Sequence, residues 1–393
     1  MGVDRIPIVI LSPKLSLWSP PLRDHIRKVT LSTAMRTAPS SLPLTRLHRT
    51  RLARESGIAL LLVIFTLTLL SIMSIALTQS TYIGSNLHRS FVDRFRAELL
   101  LRSAVNVALE IIAQDPRTSD PPKDSWGPFI PGRTVPADLL GIPDPRLQIG
   151  LEITSENSKI PLSMIVPSPG NTRDREWREI LARLFVLLEF DDKPSPDHTG
   201  LFGERSFSSK EMVANLVDYL DEEPTSFSDG DVSGIEAQLP KGYFSEKAVR
   251  DFSLNDLVNI PGFSPERLSV LAPYVTPLTV IRSVNINLTA PIVLQALDGN
   301  MQQDAAREIS AFAQSSEGPF GPYNQAGQSL LTAKFTNYQT LQSGNIVTTE
   351  STILQIIAKV QFGDRRFFAR ARVQRPLRGS PDGPQLLSRE FFG

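Results

Sequence analysis

RESGIALLLVIFTLTLLS (54–71) is the stretch from which the rest of this chain is read. It opens a segment, Gly57 to Leu87, that holds no charged side chain. Within it, residues 58–77 are almost wholly apolar. At about 1.5 Å of rise per residue they span a hydrocarbon core of about 30 Å. Arg46, Arg49, Arg51 and Arg54 lie just before the apolar run, so the excess of positive charge puts the N-terminus on the cytoplasmic side.

Three readings of this segment are open. It is an uncleaved membrane anchor, or a secretory signal cut after Ser74-Ile75-Ala76, or a leader cut ahead of the apolar run, between Gly57 and Ile58. The second suits the small-x-small rule, but the apolar run is long for a secretory signal. Met35 offers a second start that shortens the leader. Charge follows the same division. Residues 1–57 hold ten Lys/Arg against three Asp/Glu, which leaves 31 basic and 38 acidic residues beyond them. A basic leader thus precedes an acidic body.

Composition excludes several kinds of chemistry. The sequence has no cysteine, which removes disulfide scaffolds, thiolate metal sites and cysteine nucleophiles. Of its four histidines, His25 and His48 precede the junction, His88 follows the apolar run, and His198 stands in a loop. No phosphate-binding loop and no HExxH motif is present. We therefore expect no enzyme. Hydrophobic residues make up 41% of the chain, enough for a packed core.

Beyond the apolar run, helical spacing continues. Leu87, Phe91, Phe95 and Leu99 recur every four residues; Leu101, Val105, Ala108, Leu109 and Ile112 then form a stripe expected to pack on the chain's own domain. Asp115-Pro116 ends the pattern. Residues 147–166 alternate like a strand and turn at Glu156-Asn157-Ser158. Trp177, Ile180, Leu181, Leu184, Leu187 and Leu188 mark a helix. Ser208 with Glu211 forms a capping box before the apolar face of Met212, Val213, Leu216, Val217 and Leu220. Ser264-Pro265 starts another helix. Residues 345–363 and 365–375 read as strands joined at Gly363-Asp364, and the Pro/Gly-rich 376–393 reads as a loose tail.

The junction SG|IALLL resembles the prepilin-peptidase site of type IV pilins and pseudopilins. That family carries glutamate at the fifth mature position, where this chain has Leu62; the K-type minor pseudopilins of type II secretion systems also lack it. Further segments resemble that subfamily: Ser158-Lys159-Ile160-Pro161-Leu162-Ser163, the "IPGF" turn within 252–277, and SVNINLTAPIVLQAL (283–297). The resemblance implies an α+β pseudopilin fold: a long N-terminal transmembrane and amphipathic helix, a small antiparallel sheet and an inserted all-α domain. The expected division is a leader at 1–57, the helix at 58–112, sheet at 113–166, the helical insertion at 167–277, sheet again at 278–375, and the tail. It implies processing at Gly57 and Ile58 with N-methylation, an inner-membrane location with the C-terminal domain in the periplasm, and I- and J-type minor pseudopilins as partners at a pseudopilus tip. A minor pilin of a type IV pilus is the alternative.

Two motifs carry ligand expectations. DYLDEEPTSFSDGDVSGIE (218–236) crowds carboxylates around glycines, the oxygen chemistry that calcium takes. The K-type subfamily has a calcium loop that this run resembles, which assigns Asp218, Asp221, Glu222, Glu223 and Glu236 as ligands; the subfamily's downstream acidic pair is replaced by Ala237 and Gln238. A solvated acidic loop is the plainer reading. The "IPGF" and "NINLTAP" elements also resemble helix-hairpin-helix modules that hold DNA phosphates. Only Arg267 lies close by, beside Glu266, which is too little cation for phosphate binding, so no nucleic acid is expected.

Overall fold

The computed structural model describes residues 52–115, 120, 122, 126–129, 134–136, 147–166, 174–244, 252–376 and 383–392. The expected leader lies outside them up to Arg51, as does most of the loop at 116–146. Two compact units divide at Leu77/Thr78 and are described separately.

Helix α1, Leu52–Ala113, supplies the first unit with its described residues up to Leu77. From Gly57 to Leu77 every side chain is exposed, and the segment is long and apolar enough to cross a membrane. Its few hydroxyls do not leave polar groups stranded. Thr66 donates to the carbonyls of Leu62 and Val63, Thr68 to that of Phe65, and Ser71 to that of Leu67. Bonding back into the helix is how such side chains are tolerated in hydrocarbon.

The second unit has two layers. One is a five-stranded antiparallel sheet: β1 (Thr134–Pro136), β2 (Leu147–Ser155), β3 (Ile353–Phe362), β4 (Arg365–Gln374) and β5 (Gln385–Phe392), in that spatial order. Period-2 alternation sends Ile153, Leu354, Ile356, Ala358, Val360, Ala369, Ala371 and Val373 to one face. There they meet Ala97, Leu101, Val105, Ala108 and Ile112 of α1 in a single apolar core. The stripe expected to pack on its own domain does so. The β3–β4 hairpin turns at Gly363, whose φ of +57° is open to glycine at no steric cost.

The other layer is helical: α2 (Arg175–Leu187), α3 (Ser209–Leu220), α4 (Pro265–Leu271), α5 (Pro291–Leu297), α6 (Gln303–Gln314), α7 (Gln325–Lys334) and α8 (Tyr338–Ser343). The capping box of Ser208 and Glu211 is formed, and Ser264 caps α4 with Pro265 inside the first turn. Trp177, Phe185, Phe207 and Phe263 are among its fully buried side chains.

Two expectations change here. The helical layer is not confined to 167–277. Its core runs from Ile160 to Val347 and includes Val293, Leu294, Ile309, Leu331 and Leu341, so most of 278–350 belongs with the helices. The cause is tertiary: α5 packs against α2 and α6, and no local pattern announces that. The second change is the tail. Gln385–Phe392 is a strand, hydrogen-bonded along β4 from Gln374↔Gln385 to Phe368↔Phe392. QLLSREFF is strand-forming sequence screened by the Pro/Gly run before it.

Candidate functional site

Three places in the second unit combine function-bearing residue types with a defined geometry. The first is the face of α1 turned away from the sheet. From Ala97 on, one face of this helix is buried at successive turns, while Leu87, Phe91, Phe95 and Leu99 are 66%, 71%, 58% and 49% exposed. Burying one such side chain is worth about 1.5–3 kcal/mol, so four in a row form an unused adhesive stripe. Asp93, on the neighbouring face, is tied to Arg365 of the β3–β4 hairpin at 3.5 Å, and Arg102 lies over the ring of Phe391 in β5. These contacts hold the helix against the sheet while the stripe stays open.

The second place is the acidic segment after α3. Asp218 is completely buried. Its Oδ1 accepts the amide of Phe227 at 2.6 Å and its Oδ2 that of Glu236 at 2.8 Å. One carboxylate thus ties the start of the 218–236 excursion to its middle and to its end. Gly234 is required beside it, because a Cβ there would stand 2.1 Å from Oδ2. Burial pushes the Asp218 carboxyl up to about 6, the negative charges of Asp221 and Glu236 push the same way, and the two amide bonds pull against them. Of the expected ligands, Asp218, Asp221 and Glu236 are thus brought together. Glu223 is half-buried and Glu222 is exposed, at the foot of the loop. Among the described residues no three His, Cys, Asp or Glu side chains are grouped as ligands of one metal ion. The donor chemistry suits a hard cation, but the five residues do not form a cage in this geometry.

The third place is the "IPGF" turn. Gly262 has φ +99° and packs its backbone against Met212 and Phe207. Arg267 is buried. Its guanidinium donates to the carbonyls of Phe190 at 2.9 Å, Lys193 at 3.1 Å, Gly262 at 3.2 Å and Phe207 at 3.5 Å. The one cation beside the hairpin is therefore committed to joining α2, α3 and α4, which argues against phosphate binding there. His198 is likewise engaged, with Nε2 at 2.6 Å from the Val258 carbonyl. Of the processing residues, Gly57 has open space around its Cα and Ile58 is exposed within α1.

Sequence reasoning missed a buried ion triad. Arg375, at the end of β4, bonds through Nη2 to Asp115 at 2.5 Å and through Nη1 to Asp120, whose other oxygen accepts the Ser351 amide. All three side chains are almost fully buried. Beside it, Asn157 accepts the amides of Thr352 and Ile353, and Asn285 donates to Ser351. This polar seam ties the end of α1 to the sheet and the helical layer. Its members are far apart in sequence and give no local signal.

No protein-family model matches the sequence, and no curated protein matches it. Among solved structures, the chain is similar in fold to one from the GspK-GspI-GspJ complex of the type 2 secretion system of enterotoxigenic Escherichia coli. The TM-score is 0.52 at 14% identity, over 78% of this chain and 99% of that one. At that identity the shared property is the fold: a long apolar N-terminal helix packed on an antiparallel sheet, with a helical layer, as in a pseudopilin.

Proposed function

We propose that this chain is a minor pseudopilin of a type II secretion system, placed at the pseudopilus tip and starting its assembly with I- and J-type minor pseudopilins. Its role on this reading is structural and not catalytic. The observation that carries the proposal is the exposed stripe Leu87, Phe91, Phe95 and Leu99, on the helix that also bears the membrane-length apolar segment. A subunit that must bundle its helix with others needs such a stripe, and a monomer does not. Leu62 supports the tip position. Without a carboxylate there, the helix has no group to pair with the N-terminal ammonium of a neighbouring subunit, and it avoids the cost of an orphan charge in lipid.

Prepilin peptidase would cut between Gly57 and Ile58, leaving the helix in the inner membrane and the second unit in the periplasm. Mass spectrometry of the mature protein should then find N-methylated Ile58 at the N-terminus; an intact leader would overturn the processing. The assembly role is tested by incubating the full-length chain in detergent with purified I- and J-type partners, where a co-eluting complex is expected and separate elution contradicts it.

Calcium at 218–236 is proposed for the same chain, with Asp218, Asp221, Glu222, Glu223 and Glu236 as oxygen donors after the loop closes on the ion. Its support is the crowding of like charge around Asp218. A ligand at about 100 times its dissociation constant adds roughly 2.7 kcal/mol, so the melting temperature should drop in chelator, and Asp221→Ala should abolish the drop. Equal melting with and without calcium leaves a solvated acidic loop.

A further inference from the structure

The sheet has a second open surface at the end opposite β1. β5 pairs with β4 along one side, and no strand covers its other side among the described residues. Leu386, Leu387, Phe391 and Phe392 stay 37–47% exposed there. An edge of this kind, long and apolar, is a template for a further strand unless something guards it.

On the face turned away from α1, β4 sets Arg366, Arg370 and Arg372 in one alternating row, with Phe368 between the first two. The register places Phe392 of β5 opposite Phe368 and Glu390 opposite Arg370. The guanidinium of Arg370 lies 5.7 Å from the Phe392 ring centre. None of the three arginines forms an ion pair among the described residues, and they share this face with two carboxylates: Glu390 opposite Arg370, and Glu152 of β2, which Lys359 of β3 already pairs. Arg372 is half-buried, and its Nε has no hydrogen-bond acceptor among the described residues. A buried donor left without an acceptor costs about as much as a lost hydrogen bond, and a carboxylate is the acceptor a guanidinium takes best.

We propose that β4 and β5 form a docking surface for a carboxylate-bearing extended segment of a partner subunit, which adds along the β5 edge and sets its acidic side chains against Arg366, Arg370 and Arg372. The mode is strand addition: backbone hydrogen bonds give affinity and alternate side chains give selectivity. A nucleic acid or an anionic lipid surface would supply phosphates to the arginines but no backbone groups to the open edge, and would leave Leu387 and Phe391 uncovered. The partner's identity rests on the minor-pseudopilin reading; the surface itself is separate from the α1 stripe.

The test uses the full-length chain in detergent, with the purified I- and J-type minor pseudopilins as probes. Binding should weaken with salt, and the triple variant Arg366→Glu, Arg370→Glu, Arg372→Glu should bind one of them at least about tenfold more weakly, while the triple lysine variant stays within about threefold of wild type. If the glutamate variant does not fold, a photocrosslinking amino acid in place of Ser388, on the same face of β5, decides the matter: a crosslink to one of the two partners is expected. The proposal is overturned if the folded glutamate variant binds both partners as wild type does. It is overturned too if the Ser388 position crosslinks to neither, or if the arginines govern binding to duplex DNA or anionic vesicles instead. A wild type that binds neither partner sinks the pseudopilin reading itself and this surface with it; a wild type that binds while the variant binds equally sinks only the surface.

Discussion

At the seam between sheet and helices, Asp115 and Asp120 hold the guanidinium of Arg375 between them. In the helical layer, Asp218 is as deeply buried, but its bonds go to two backbone amides and its neighbours Asp221 and Glu236 carry its own charge. Both clusters fasten distant parts of the chain. The first balances charge inside the protein. The second holds a buried carboxylate on amides while like charge stands near it. Burial of carboxylates alone therefore does not mark a metal site: the first pair is spent on an arginine, and the second carboxylate on two amides.

The largest effect is expected at Arg375. Arg375→Ala leaves two buried carboxylates facing each other and should destabilise the second unit by about 3–5 kcal/mol, read as a lower urea midpoint by circular dichroism. A loss under about 1 kcal/mol would show that water reaches the seam.

Asp218 differs from the triad in its response to pH. Its folded-state pKa is raised from 3.8 to about 6, so the folded state binds the proton more tightly than the unfolded chain does. The stability this contributes is complete below pH 3.8 and is lost as pH rises through about 6. In chelator, the melting temperature should therefore fall between pH 4 and pH 7, with a difference on the order of 3 kcal/mol at most. Calcium, which prefers the ionised carboxylate, should flatten that slope. A slope of the same size in both conditions would separate Asp218 from any ion.

A steric change in the same cluster is expected to be milder. Gly234→Ala forces a methyl into the Asp218 carboxylate, which must give up at least one amide bond. The cost should be about 1–3 kcal/mol with calcium response weakened. Wild-type stability would mean that the loop moves as a body. The smallest effect is expected at the far end of the chain: Leu62→Glu should give no gain in secretion, and some loss, because a carboxylate with no partner costs about 2.5–3.5 kcal/mol at a helix centre in lipid and less near an end. Improved secretion would contradict the tip position.

Much of the sheet layer and the first helices was legible because their signals are local. The alternation of 353–362 and 365–374, the Gly363-Asp364 turn, the Ser208–Glu211 box and Ser264-Pro265 each sit within a few residues of what they specify. Helices α6 to α8 were missed because the expected division continues the sheet through that segment, although Asn324 caps α7 and α6 carries an apolar face. QDAAREISAFAQ has no side-chain cap at its start, and although Ala306, Ile309 and Ala313 recur at helical spacing, what they pack on, α5, is set only by the folded chain. The candidate sites divide in the same way. Carboxylate density pointed to 218–236, and the spacing of Leu87 to Leu99 pointed to one helix face. That Asp218 spends both oxygens on amides at Phe227 and Glu236, and that Arg375 reaches Asp115 across 260 residues, follows only from the folded chain.

The central claim, that the open stripe of α1 is where the subunit joins its partners, is tested most directly by Phe91→Asp with Phe95→Asp in a strain whose own copy is deleted. Each buried aromatic anchor is worth about 2 kcal/mol, so the pair should weaken capture of the I- and J-type pseudopilins by well over about 30-fold. The variant should accumulate in the membrane at wild-type level, because neither ring belongs to the core, yet fail to restore secretion. Secretion at wild-type level by that variant would contradict the account.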